Sequence, residues 1–295
     1  MTRRGFSAVL AGLGGFLLSG CSVLTAFNTL TPRDPANRAA VGLAYGSDPR
    51  QVLDVYTPKN PGAGPLPMLV FFYGGGWISG HREDYGFAGQ ALASRGFVTV
   101  VPDYRVAPAH PYPDFMQDAA LAVRWARDHA AEYGGDPTRI VLCGHSAGGY
   151  LALMLAMDDD FLRDAGVDFS LIKGAVGLSG PYDFYPFNVK ESILAFGQYP
   201  DPRATQPISY ASRPHRPPVL LIQGEKDKIV GVHNAVNLDR ALRQAGNAST
   251  LHLFPTLTHP DTALALSVPF RGKAPILAET AQFLHRVTGA DAAVR

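Results

Sequence analysis

Residues 139–150 read Arg139-Ile140-Val141-Leu142-Cys143-Gly144-His145-Ser146-Ala147-Gly148-Gly149-Tyr150, and they decide the fold. The apolar, β-branched run Arg139–Cys143 predicts a strand buried on both faces. A helix is predicted immediately afterwards, over Ala147–Met157. Between them stands Gly144-His145-Ser146-Ala147-Gly148, a G-x-S-x-G pentapeptide. A serine on so sharp a strand-to-helix turn needs glycine on either side for steric room. The turn lifts its Oγ clear of the sheet, above a helix N-terminus that favours developing negative charge.

Outward from this turn the chain repeats the same alternation. Further strands are predicted at Leu53–Tyr56, Met68–Tyr73, Phe97–Val101, Leu171–Leu178, Val219–Gln223 and Thr250–Phe254. Helices are predicted over Asp114–Tyr133, His233–Ala245 and Ala274–Val287. In the first of these Phe115, Ala119, Ala122, Ala126 and Ala130 recur at helical spacing, a small-residue face able to lie close on a sheet. Strand–helix–strand repetition implies an α/β domain with a mostly parallel central sheet flanked by helices. One catalytic domain is expected over residues 50–288, with a small Pro- and aromatic-rich lid insertion over 179–217, placed over the sheet's edge. Residues 289–295 read as a tail.

A second chemical feature lies upstream. Tyr73-Gly74-Gly75-Gly76-Trp77 follows the strand at Met68. Consecutive glycines expose backbone N–H groups without obstruction, and acyl transfer needs such donors for the charge on a tetrahedral intermediate. The expected oxyanion-hole donors are the N–H groups of Gly75, Gly76 and Ala147.

The glycine triplet with Trp77, the run Asp103-Tyr104-Arg105-Val106-Ala107-Pro108, and the elbow at Ser146 occur in an order that resembles an α/β-hydrolase of the carboxylesterase kind. The resemblance lies nearest the feruloyl-esterase-like (BD-FAE) and hormone-sensitive-lipase-like groups and covers roughly residues 50–288. It implies the α/β-hydrolase fold and a Ser-His-Asp triad. Tyr73 departs from the family pattern, which has histidine there; that position braces the loop, so its support should be altered. His145, where many hormone-sensitive-lipase relatives have Asp, favours the feruloyl-esterase-like side. Asp103 and Arg105 are expected to be structural ion-pair partners tying this turn to its neighbours.

The nucleophile needs a base oriented by a carboxylate, and this fold orders them Ser, acid, His. Among nine histidines, His259 lies in a loop just past the strand ending at Phe254, where the base belongs. The family's acid sits in the turn Gly224-Glu225-Lys226-Asp227, which selects Asp227, with Glu225 and Asp183 as rivals. Trp77, Tyr104, Tyr182 and Phe184 are candidate substrate-binding residues, although the aromatics of the insertion could equally pack it onto the body.

Composition excludes other classes. Apolar residues make up 46%, too many for a disordered chain, and a net charge of +1 offers no field for nucleic acid. Two cysteines cannot build a disulfide framework, and no metal or organic cofactor is expected. At the N-terminus, Arg3-Arg4-Gly5-Phe6, an apolar run and Leu18-Ser19-Gly20-Cys21 have the three parts of an export signal. Residues 1–20 resemble a twin-arginine signal ending in a bacterial lipobox, followed by a tether and lead-in over 21–49. Acylation of Cys21 would make the protein an exported lipoprotein facing the periplasm or cell exterior. An uncleaved membrane anchor is the alternative. Cys143 is then left unpaired, as a small buried hydrophobe.

The expected activity is hydrolysis of small to medium acyl esters through a covalent acyl-enzyme. An exported amidase, peptidase or arylformamidase with the same triad stays open, as does an inactive hydrolase-fold binding module. The sequence says nothing of oligomeric state.

Overall fold

The computed structural model describes Phe27 and residues 31–289. The expected export signal, Cys21 and the tail beyond Gly289 lie outside the described residues. Eight strands form one sheet: β1 (Ala36–Ala44), β2 (Val52–Pro58), β3 (Leu66–Phe72), β4 (Val98–Pro102), β5 (Gly135–His145), β6 (Ile172–Leu178), β7 (Val219–Gly224) and β8 (Ser249–Phe254). Their spatial order is β1-β2-β4-β3-β5-β6-β7-β8. The β1–β2 and β2–β4 pairs are antiparallel and the other five are parallel.

Every residue of β4 and β7 is buried, as are the last six of β3, which is why these strands read as continuous apolar runs. β1 gives no such signal. Its sequence ANRAAVGLA is largely solvent-exposed, and two register shifts bend it against β2. An irregular edge strand of this kind, bent by two register shifts, resists pairing with another sheet.

The helices are α1 (Gly86–Ala93), α2 (Asp114–Asp128), α3 (Ala147–Met157), α4 (Asp160–Asp164), α5 (Lys190–Phe196), α6 (His233–Gln244), α7 (Asp261–Leu264) and α8 (Ile276–Thr288). Phe115, Ala119, Ala122 and Ala126 of α2 are fully buried, so its small-residue face does lie on the core. The expected helix over Asp114–Tyr133 breaks at His129 and ends in a separate 3₁₀ turn, Ala130–Tyr133. All eleven residues of α3 are buried, and Cys143 beneath it is fully buried as well. No described helix is long and apolar enough to cross a membrane.

Buried ion pairs fasten the loops around the strand ends. Fully buried Asp54 accepts from Arg38 at 2.5 Å, Arg82 at 2.9 Å and the Gly42 N–H at 2.9 Å. Arg82 also reaches Asp103 at 2.6 Å, while Arg105 reaches Asp118 at 2.7 Å. Asp103 and Arg105 therefore tie their turn to two different neighbours, not to one another. Ahead of β1, Asp34 is held by Arg271 at 3.0 and 2.7 Å, and Phe27 packs against Phe87 and Phe270.

The segment between β6 and β7 corrects one expectation. It packs on Trp77 and on α3, where Tyr150 Oη donates to the Thr205 carbonyl at 2.8 Å, instead of lying over a lateral edge. Phe196 of α5 anchors it, with ring centroids 4.8 Å from Trp77, 5.3 Å from Tyr150 and 5.5 Å from Phe115.

Candidate active site

Ser146 closes the β5–α3 turn with φ 56° and ψ −123°, a backbone region that a non-glycine residue occupies only under constraint. The constraint is steric crowding. A Cβ on Gly148 would lie 2.0 Å from the Phe72 carbonyl oxygen, and one on Gly144 would lie 2.1 Å from the Gly148 carbonyl oxygen. The motif glycines are thus required by how closely β3, β5 and α3 approach. The Ser146 N–H donates to the Leu178 carbonyl at 2.9 Å, fixing the turn from the other side.

The serine Oγ is 2.9 Å from His259 Nε2, and His259 Nδ1 is 2.8 Å from Asp227 Oδ2. An ionised carboxylate only accepts, so Nδ1 carries the proton and Nε2 is left to accept from the serine. His259 and Asp227 are each 8% exposed, so the chain of bonds is largely shielded from water.

Asp227 is held as an anion. Its Oδ1 accepts from the N–H groups of Ile229 and Val230 at 2.9 and 2.8 Å, and Oδ2 also accepts from Gln223 Nε2 at 3.0 Å. Burial works against its charge. The bond from His259, that residue's positive form, and the Val230 and Ile229 N–H groups outweigh burial and leave the carboxyl below its ordinary value. Of the rivals, Glu225 is exposed and Asp183 accepts from Asn237 at 2.7 Å.

The His259 turn is clamped separately. Asp261 accepts from the Thr258 N–H at 2.8 Å and binds Lys273. The His259 carbonyl lies 3.1 Å from His145 Nε2, and Tyr85 Oη lies 2.8 Å from His145 Nδ1. Burial, with the neighbouring His259 ring adding to it, pushes the His145 pKa down to about 3. His145 is therefore a neutral strut, with Nε2–H donating and Nδ1 accepting.

On the other side of the serine, the glycine loop starts at the end of β3. A Cβ on Gly75 would strike the Ser79 carbonyl oxygen at 2.0 Å. Trp77 has φ 63°, which folds the loop back. Tyr73 braces it differently from a histidine. Its ring stacks on Tyr104 at 4.6 Å, and its hydroxyl accepts from Arg50 at 3.0 Å. Arg50 also binds the carbonyls of Tyr104 and Gly80. The Gly75, Gly76 and Ala147 N–H groups donate to no other backbone carbonyl among the described residues.

Two of the candidate substrate contacts are corrected. Tyr104 is fully buried, with its hydroxyl donating to the Tyr73 carbonyl at 2.9 Å, so it is a brace under the loop. Tyr182 is 1% exposed and packed against Gly177 and Gly180. Trp77, 4% exposed, stacks on half-buried Phe184 with ring centroids 5.6 Å apart. Gln223, Tyr85 and the Asp261–Lys273 clamp escaped sequence reasoning. Gln223 alone left a signal, as a polar residue closing an apolar strand. Among the described residues no group of three or more His, Cys, Asp or Glu side chains is arranged to hold a metal ion.

The sheet order, the strained serine turn and the helices on both faces define an α/β-hydrolase fold. The BD-FAE family profile matches residues 53–242, and the chain belongs to that family. It is 32% identical over 228 residues to Esterase LipC of Mycobacterium tuberculosis, covering 71% of this chain and 56% of that protein. It is 30% identical over 250 residues to isoprenylcysteine alpha-carbonyl methylesterase ICME of Arabidopsis thaliana, covering 78% and 58%. The chain thus spans little more than half the length of these relatives. Among solved structures it resembles esterase Est2 of Thermogutta terrifontis, with a TM-score of 0.71 and 27% identity over 85% of this chain and 94% of that one. It also resembles esterase B of Lactobacillus rhamnosis, with a TM-score of 0.81 at 19% identity over 96% of each chain, a likeness of fold.

Proposed function

We propose that the protein is a carboxylesterase working through Ser146, His259 and Asp227. The observation that carries this reading is the unbroken line of hydrogen bonds from Ser146 Oγ through His259 to Asp227, at 2.9 and 2.8 Å. In this mechanism Ser146 Oγ attacks the ester carbonyl carbon while His259 Nε2 takes its proton, and Asp227 stabilises the imidazolium. The carbonyl oxygen, now negative, receives the N–H groups of Gly75, Gly76 and Ala147. His259 returns the proton to the departing alcohol. Water, deprotonated by His259, then cleaves the acyl-enzyme and restores the serine.

Support for ester substrates comes from the esterases among its relatives. The compact insertion, anchored by Phe196, favours small to medium acyl groups. We further propose that residues 1–21 direct export and lipid attachment at Cys21. A palmitate analogue incorporated by the wild type and not by Cys21→Ala would support attachment.

The test is hydrolysis of p-nitrophenyl acetate by wild type and Ser146→Ala, with fluorophosphonate labelling of each. Loss of both turnover and label in a folded variant is expected. Labelling of a folded Ser146→Ala protein, or a wild type silent to ester and probe alike, would refute the mechanism and favour a binding module.

A further inference from the structure

The space a side chain would fill at Gly76 is taken by a residue of the insertion. A Cβ built there would lie 3.0 Å from Glu191 Cγ and 3.3 Å from Glu191 Cβ. Glu191 stands in the first turn of α5 and is half-buried, and its carboxylate has no hydrogen bond or ion pair among the described residues. An unneutralised carboxylate therefore rests beside a loop whose proposed task is to stabilise negative charge. By itself such a charge opposes an oxyanion. It becomes favourable when the substrate supplies the missing positive charge.

The surroundings suit a cation. Phe184 and Phe187 are half-buried with ring centroids 5.8 Å apart, and Trp77, the next residue after Gly76, stacks on Phe184 at 5.6 Å. Aromatic faces attract ammonium groups, most strongly where water is partly excluded. The nearby Tyr185 ring already faces Arg203 at 5.7 Å, while Phe184 stacks on Trp77 and Phe187 on Phe196, which leaves each phenylalanine a single face for a cation.

We propose that Glu191, with Phe184 and Phe187, forms a subsite for an ammonium group carried by the ester close to its scissile carbonyl, and that it selects against anionic esters. This rests on the esterase reading above.

Two matched pairs test it. Acetylthiocholine against 3,3-dimethylbutyl thioacetate places the cation on the leaving side. The p-nitrophenyl esters of 4-(trimethylammonio)butanoic and 5,5-dimethylhexanoic acids place it on the acyl side. In at least one pair the cationic-to-neutral ratio of kcat/KM should fall about tenfold in Glu191→Gln, the scale of one charge pair at a partly desolvated site, with Glu191→Asp retaining part of it. Fluorophosphonate labelling of each variant shows that it folds. An unchanged ratio in both pairs, with the neutral esters still hydrolysed, would overturn the subsite and leave the esterase standing. A wild type that cleaves p-nitrophenyl acetate but prefers the cationic member of neither pair would also overturn the subsite, whereas silence to p-nitrophenyl acetate and to the probe alike would overturn the esterase reading itself.

Discussion

His145 Nε2 lies 3.1 Å from the backbone carbonyl of His259, so the residue preceding Ser146 holds the turn that carries His259. Burial keeps the His145 ring neutral. Its pKa in the fold is about 3 against an ordinary 6.5, so between these values the unfolded chain binds a proton that the folded one refuses. Stability from this group is full above pH 6.5 and drains away as pH falls towards 3, by an amount on the order of a few kcal/mol. Urea unfolding of wild type should weaken from pH 7 to 4, and His145→Gln should flatten that slope. Parallel slopes would contradict the assignment.

Asp54 governs a lower window. Burial opposes its charge, but bonds from Arg38, Gly42 and Arg82 prevail and hold the carboxyl below its ordinary 3.8. Its contribution is complete above that value and lost as pH drops through the depressed one. Asp54→Ala leaves Arg38 without that partner and Arg82 with Asp103 and Glu83 only, so it should cost about 3–5 kcal/mol at neutral pH and remove part of the acid limb. Calorimetry across pH 2–7 checks both.

Asp227→Asn keeps the shape and loses the charge that fixes the His259 tautomer. A drop in kcat of about 10⁴-fold is expected, by analogy with serine proteases. The melting temperature should move far less than the rate. A loss below tenfold would show that another carboxylate orients the imidazole.

Gly148→Ala would force a Cβ to 2.0 Å from the Phe72 carbonyl oxygen, which has no room to withdraw inside the sheet. Destabilisation of at least about 2 kcal/mol is expected, with the serine turn displaced. Comparison with Gly272→Ala, where nothing lies within 4 Å, isolates the crowding.

Phe196→Ala should open a cavity among Trp77, Tyr150 and Phe115 and cost about 3–5 kcal/mol. Proteolysis should then cut first within 179–217. An insertion that stays resistant would mean that other contacts anchor it.

How much of this was legible depends on how local the cause is. The Ser146 turn and the glycine loop were readable because their geometry is written in consecutive residues. The central parallel strands were readable because burial on both faces leaves a continuous apolar run, as in β3 and β7. β1 was not, since an exposed edge held by irregular pairing needs no pattern. α5 was hidden in a Pro-rich stretch because Phe196 stabilises it from across the chain. Tyr104 and Tyr182 were misread as substrate contacts because an aromatic residue does not declare which way it points. Gln223 and Tyr85 act through partners far along the chain or across a turn, and only assembly brings them to the histidines.

The clasp between Asp34 and Arg271 joins positions 237 apart. Arg271 and Lys273 belong to one short helical turn, and Lys273 grips Asp261, two residues from His259. Asp34 is thus joined, through one short turn, to the carboxylate that clamps the turn of His259, so a change at either pair reaches the other through only two side chains.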